Sequence, residues 1–202
     1  MILVIGAAGN MGQRYCKILK YLNEPFCAYD TSSYGVNLGE TVAKHKPTGF
    51  IVATPTETHC SVISYLMAYR KPILCEKPIT KDKHELANLL KLAKKMKTNL
   101  QMVNQYAFMN PGTGKEPTRF SYFKHGGDGI AWDCINIIGM AKGSLAYNPN
   151  SPIWDCMING IQQNHAQIDH SYIRMVRAWL KKPTSNIAYI ERAHNKVMGI
   201  KR

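Results

Sequence analysis

The sequence predicts an α/β protein whose N-terminal half is a doubly wound parallel sheet. Short, wholly apolar runs recur at Ile2–Ile5, Phe50–Ala53 and Pro72–Cys75, the pattern of parallel strands buried on both faces. Segments with apolar residues at i, i+3, i+4 spacing stand between them and read as helices. The first run also passes directly into a glycine-rich turn that opens a helix. Strand and helix in alternation give an open sheet covered on both faces. Ligands of such sheets bind outside the carboxyl ends of the strands.

Ile2–Ile5 is the first strand, and Gly6-Ala7-Ala8-Gly9-Asn10-Met11-Gly12 follows it. The helix after it carries Tyr15, Ile18, Leu19 and Leu22. G-x-x-G-x-x-G is a variant of the dinucleotide fingerprint. Gly6 permits the tight turn, Gly9 lets backbone approach a pyrophosphate, and Gly12 lets helix pack on strand. The N–H groups at the helix start, around Ala8, Asn10 and Met11, carry the phosphate charge. Phe26–Tyr29 is the second strand, and Asp30 ends it about twenty residues beyond the glycines, where a carboxylate accepts from ribose hydroxyls. It would repel a 2′-phosphate, and Thr31-Ser32-Ser33 supplies no arginine in compensation. The reading favours NAD, with NADP left open.

Tyr34–Gly39 is turn-rich, and Glu40–His45 reads as a short helix. Strand Phe50–Ala53 ends in Thr54-Pro55-Thr56. Thr56 or Thr58 is expected to cap a helix running to about Arg70, with Val62, Ile63, Leu66 and Met67 inward. His59, in its first turn, either faces the cofactor or is exposed. Pro72–Cys75 is a further strand, followed by Glu76-Lys77-Pro78. That places Lys77 at a strand's carboxyl end. Helix Asp82–Lys97 buries Leu86, Leu89, Leu90 and Ala93, and Leu100–Val103 is the last strand of the series.

The chain has 202 residues, 45% of them hydrophobic, and a formal charge of +13, which fits a globular protein with an attraction for phosphorylated or carboxylated ligands. Many lysines fall in 81–97 on one helix face. No zinc-finger or RNP pattern stands here, and no basic patch interleaved with aromatics, so nucleic acid is not the expected partner. The six cysteines form no C-x-x-C pair. MILVIGAAG reads as a strand and not a signal peptide, and no apolar run is long enough for a bilayer. The expected location is the reducing cytoplasm, with no membrane partner. No metal site is expected.

FIVATPTETHCSVISYLMAYRKPILCEKPIT, residues 50–80, resembles the signature of the glucose–fructose oxidoreductase / inositol dehydrogenase / rhizopine-catabolism (Gfo/Idh/MocA) family. Members carry a strand ending in T-P-x-x-x-H, a helix, and a strand ending in E-K-P. VIGAAGNMG is also similar to the opening of dihydrodipicolinate reductases, but their paired histidines are missing here. The first resemblance implies an NAD(P)-binding Rossmann domain over 1–107. It implies a substrate and oligomerisation domain over 108–202, here a small, truncated α+β domain whose last helices pack back on the first. It implies hydride transfer at a hydroxyl or carbonyl carbon of a small polar molecule, a sugar or a relative, and association into a homo-oligomer. Thr54, Pro55, Thr56, His59, Glu76, Lys77 and Pro78 then line the cofactor site, and Lys77 takes the place of the family lysine near the substrate oxygen.

The second half departs from the pattern. NQYAFMNP, 104–111, lacks the arginine of the family's N-x-R-F-x-P. GGDGIAWDCINIIGMAKG, 126–143, is similar in outline to G-G-x-x-x-D-x-G-x-H-x-x-D, with Gly126, Gly127 and Asp133 matching. Ile137 and Met140 occupy the histidine and last acid positions, which hold the family's proton donor and its partner. Candidate replacements are Asp133 and His165. Asp169 lies i+4 from His165 on a predicted helix, with His170 beside it and His125 next to Gly126. Thr118–Lys124 reads as a strand, and Asp169–Leu180 and Ile187–Val197 as closing helices. Trp132, Tyr147 and Trp154 stand as core, interface or cleft aromatics. The alternative function is an NAD(P)-binding sensor or scaffold without turnover.

Overall fold

The computed structural model describes residues 1–30, 37–121, 130–148 and 153–200. Thr31-Ser32-Ser33, Tyr34, His125, Gly126 and Gly127 lie outside the described residues. The chain divides into two compact units, Met1–Met102 with Trp179–Ile187, and Val103–Ala178 with Ala188–Arg202.

The first unit is built on five parallel strands, β1 (Ile2–Ile5), β2 (Phe26–Tyr29), β3 (Gly49–Val52), β4 (Ile73–Cys75) and β5 (Leu100–Met102), in the order β2-β1-β3-β4-β5. β1, β3 and β4 are buried along their whole length, which is why they read as unbroken apolar runs. β2 is an edge and only half-buried. The chain leaves β1 in one direction and returns to its other side through β3, so the switch point lies between the carboxyl ends of β1 and β3. The intervening helices are α1 (Asn10–Tyr21), α2 (Leu38–His45), α3 (Thr56–Met67) and α4 (Lys83–Met96). Each buries one stripe, Tyr15, Ile18 and Leu19 on α1 and Leu86, Leu89, Leu90 and Ala93 on α4. The free edge of β5 is closed by the later stretch of chain. Asn186 accepts from Met102 N–H at 2.9 Å and donates to Met102 O at 2.8 Å, and Ser185 Oγ donates to Leu100 O at 3.0 Å. A covered edge is not open to foreign strands.

The expected cap of α3 is corrected by the structure. The helix has Pro55 at its N-cap with no side-chain cap, and Thr58 Oγ1 instead donates to Pro55 O at 2.8 Å. The helix ends at Met67, short of Arg70, whose φ is 54°. α4 is capped by Asp82, which is expected from the sequence as the first residue of the helix and which accepts from the N–H groups of His84 and Glu85.

The second unit holds a four-stranded sheet of β6 (Thr118–Ser121), β7 (Leu145–Asn148), β8 (Asp155–Ile158) and β9 (Ile161–Gln162), in the order β7-β6-β8-β9. β6 pairs parallel with β7, and the other pairs are antiparallel. Its helices are α5 (Ile130–Asp133), α6 (Ile135–Met140), most of α7 (Ile168–Lys181) and α8 (Ile187–Met198). Asn159, at φ 48°, knots this unit: its side chain accepts from Lys142 N–H and donates to Gly112 O and Met140 O. Trp132 is a core residue at 7% exposure, its ring 5.8 Å from that of His194.

Candidate functional site: a glycine turn and a strapped lysine turn

At the end of β1 the chain turns back at Gly6, whose φ is +82°. A Cβ there would stand 2.6 Å from Ala53 O and 2.8 Å from Thr54 N, so only glycine lets the first turn lie against the end of β3. A Cβ on Gly12 would overlap the Gly6 carbonyl and stand 2.7 Å from Ala7 Cα. Gly9 is the N-cap of α1, with no side-chain cap and no acidic residue in the first turn. Ala8, Gly9 and Asn10 are exposed, with Met11 half-buried behind them. This is an uncapped helix start with its N–H groups and partial positive charge available to an anion, the fit that a diphosphate requires. Asp30, half-buried at the end of β2, accepts from Ala8 N–H at 3.0 Å, which joins the acid to the glycine turn. The carboxylate and the uncapped helix start are therefore in direct contact.

On the other side of the switch point stand Thr54, Pro55 and Thr56, at the junction of β3 and α3. His59 is neither exposed nor open to a ligand. It is 1% exposed, with Nδ1 2.8 Å from Pro78 O and Nε2 2.8 Å from Thr54 O. Both ring nitrogens are thus engaged by backbone. Glu76 is 5% exposed and takes a 2.5 Å hydrogen bond from Tyr15 Oη, while its other oxygen accepts from the N–H of Lys77 at 3.1 Å. The Lys77–Pro78 peptide is cis. Lys77 itself is half-buried. Cys75, just before this turn, is fully buried, and burial pushes its thiol well above the usual range, so it stays protonated and is no nucleophile.

The remaining candidates belong to the second unit. Asp133 is the half-buried last residue of α5. His165 is not on a helix with Asp169. It opens a 3-10 turn, His165–Gln167, capped by Asn164, and α7 begins only at Ile168, so the expected shared helical face is not formed. His165, Asp169 and His170 are all exposed. The His165 ring meets the edge of Trp154 at 4.9 Å. Trp154 lines a shallow hollow of about 490 Å³ with Arg119, Phe120, Tyr147 and Asp155. Ile137 is buried at 2% exposure within α6 and Met140 is half-buried, and neither side chain has an ionisable group to donate a proton. Among the described residues no group of three His, Cys, Asp or Glu is placed to hold a metal.

Residues 20–104 match the family described as an oxidoreductase family with an NAD-binding Rossmann fold. This stretch is similar to the Gfo/Idh/MocA oxidoreductases. The match takes in Asp30, the Thr54–His59 junction and the Glu76-Lys77-Pro78 turn, and the glycine turn lies just before it. The whole chain is similar in fold to solved dehydrogenases. The WlbA (WbpB) dehydrogenase from Thermus thermophilus, in complex with NAD and UDP-GlcNAcA, is 12% identical with a TM-score of 0.70, over 97% of this chain and 92% of that one. A myo-inositol dehydrogenase from Corynebacterium glutamicum is 12% identical with a TM-score of 0.72, over 98% and 93%. A Gfo/Idh/MocA family oxidoreductase from Vibrio cholerae is 13% identical with a TM-score of 0.69, over 97% and 94%. At such identities the likeness shows the fold alone. Among curated proteins none matches this sequence.

Sequence reasoning missed Tyr15 as a site residue. It reads as one more apolar position on α1, and its hydroxyl finds Glu76 across 61 residues of chain. The only local signal was a tyrosine where the helix stripe otherwise carries Ile and Leu.

Proposed function

We propose that the chain is an NAD-dependent dehydrogenase or reductase of a small polar hydroxy or carbonyl compound, a sugar or sugar derivative, with Lys77 as the candidate catalytic residue. The observation that carries this reading is the Lys77 turn. The lysine follows the carboxyl end of β4, its own N–H is fixed by buried Glu76, and the next residue's carbonyl is fixed by buried His59. Glu76 is in turn bonded to Tyr15 on the helix that follows the glycine turn. A surface lysine of no function needs no such buried support.

Bound NAD supplies or accepts the hydride. The chain's residues bind and orient. The first-turn N–H groups of α1 hold the diphosphate. Asp30 accepts from the ribose hydroxyls and disfavours a 2′-phosphate. The Lys77 ammonium donates to the substrate oxygen and stabilises negative charge as it develops there. The sugar class is supported by what the relatives bind and are named for, UDP-GlcNAcA and myo-inositol. The six free cysteines suit a reducing compartment, the cytoplasm.

Calorimetric titration with NAD and with NADP tests the reading. NAD is expected to bind more tightly. If neither dinucleotide binds, the reading fails.

A further inference from the structure

We propose that the amino-terminal end of the five-stranded sheet docks the phosphate backbone of a nucleic-acid duplex. Parallel strands all begin at one end of their sheet, and the helices that feed them end there. β3 is entered through Lys46-Pro47, β4 through Arg70-Lys71-Pro72 and β5 through Lys97. The segment that covers the β5 edge is entered through Lys181-Lys182-Pro183, in the same unit. These entries are neighbours. Phe50 N–H donates to Pro72 O and Ile73 N–H to Asn99 O, each at 2.9 Å, and Asn99 Nδ2 donates to Pro183 O at 3.2 Å. All six cations are exposed. Strands lie about 4.8 Å apart, so the row from β3 to the covering segment runs roughly 15 Å. No acidic residue stands within three positions of any of the six. Glu24, at the entry of β2, faces the amino group of Met1 instead, 4.0 Å away.

The backbone gives a second, independent sign. Lys46, Arg70 and Lys97 follow α2, α3 and α4 with φ of 46°, 54° and 52°. Glycine takes this left-handed conformation freely, and asparagine is the usual alternative. α1 makes the corresponding turn with Asn23, at φ 54°. The other three helices place a long cation there, against the local preference of the chain. A positive charge near a helix end also suits the helix dipole. For α2 and α4 that is already supplied by Lys44, and by Lys94 with Lys95, in their last turns. The further charge at the strained position adds to the row, and stability does not call for it.

A row of point charges fixed to a sheet edge is complementary to a straight, stiff anion. A duplex carries one phosphate charge per about 1.7 Å of its axis. An acidic peptide would have to be ordered on binding. Insertion into a bilayer takes apolar side chains, and none of the exposed large hydrophobic residues lies in these entries. A second copy of the chain would set cations against cations. Phosphate contacts carry no sequence information, so no base-reading motif is needed. The row is assembled from four separate segments, and no single run of charge along the chain announces it. It stands at the opposite end of the sheet from the glycine turn and does not rest on the function proposed above.

The test is fluorescence anisotropy with a labelled 20-base-pair DNA duplex of arbitrary sequence. Wild type is expected to bind at 50 mM salt and to weaken by about 10²-fold or more at 200 mM. A variant with Lys46→Asn, Arg70→Asn and Lys97→Asn is expected to bind at least about tenfold more weakly at 50 mM. Its slope of log affinity against log salt is expected to fall by about 2.7, three phosphate contacts at about 0.9 each. A control with Lys17→Gln, Lys83→Gln and Lys115→Gln loses the same charge outside the row and is expected to stay within about threefold of wild type. Absence of binding by wild type at 50 mM overturns the proposal. Equal weakening of the two variants overturns it as well, since net charge then explains the effect. Tighter binding of polyglutamate, or of phosphatidylserine vesicles, overturns the choice of a duplex. Amine-reactive labelling of wild type, with and without the duplex, needs no variant to fold. Lys46, Lys71, Lys97 and Lys182 are expected to be protected and Lys17, Lys83 and Lys115 to stay reactive. Uniform protection of all seven overturns the assigned face.

Discussion

Tyr15→Phe removes a single oxygen from a fully buried ring and leaves the packing of α1 as it is. Tyr15 is 0% exposed, and its hydroxyl donates a 2.5 Å hydrogen bond to the side chain of Glu76, itself 5% exposed. A hydrogen bond to a charged group is worth about 1.5–3 kcal/mol, and the abandoned oxygen is too deep for water to restore it in full. For a chain of this size each kcal/mol moves Tm by about 2–4 °C, so the expected loss is roughly 3–12 °C. Glu76→Gln keeps the shape of the acid but turns one acceptor into a donor, facing either the Tyr15 hydroxyl or the Lys77 N–H. The two substitutions share one bond, so the double variant is expected to lose less than the sum, by a coupling of about 0.5–3 kcal/mol. Thermal unfolding of the four proteins by circular dichroism is the assay. A Tyr15→Phe protein within about 1 °C of wild type refutes the reasoning, because the predicted penalty is several times larger.

Gly12→Ala places a Cβ over the Gly6 carbonyl and 2.7 Å from Ala7 Cα, so turn and helix must separate. NAD affinity by calorimetry is expected to fall at least about tenfold, or 1.4 kcal/mol, and wild-type affinity would contradict the assigned cradle. Asp30→Ser removes the carboxylate that contacts the turn at Ala8 and is expected to raise NADP affinity relative to NAD about tenfold. An unchanged ratio by titration would remove Asp30 from the ribose site. Asp82→Ala tests the cap of α4. Hydrogen bonds from the Glu85 and His84 N–H groups, helped by the His84 charge, hold the Asp82 carboxyl below its ordinary 3.8. A carboxyl lowered in the folded state stabilises above its unfolded value, and this is lost as pH falls through the folded one. The Tm gap between wild type and Asp82→Ala is therefore widest above pH 4 or so and closes in acid. A gap that widens on acidification would contradict the sign.

Much of the first unit was legible because its physics is local. β1, β3 and β4 are short runs with no polar residue, and burial on both faces explains them. The glycine turn declares itself because Gly6 and Gly12 occupy places where a Cβ meets backbone. What the chain order concealed were contacts made at a distance. Nothing in Thr-Glu-Thr-His shows that the imidazole will reach Pro78, 19 residues on. His165 was misplaced on a helix because Asp169, His170 and their neighbours do form one. Asn164 caps a 3-10 turn first, and that competition between local side-chain bonding and helix is not visible in periodicity. The cap of α3 failed for a similar reason: Thr58 spends its hydroxyl on Pro55 O and lies inside the helix.

Lys77→Met is the most direct measurement of the central claim, since it keeps a long side chain at the turn and removes the charge. Reduced-nicotinamide absorbance would be followed with NAD and a panel of sugars, cyclitols and nucleotide sugars. The account predicts turnover of at least one panel member by wild type. Lys77→Met is predicted to keep wild-type NAD affinity and to lose about 10²-fold or more in kcat, the scale of removing one donor to a developing oxyanion. A Lys77→Met protein that turns over the same substrate at the wild-type rate would contradict it.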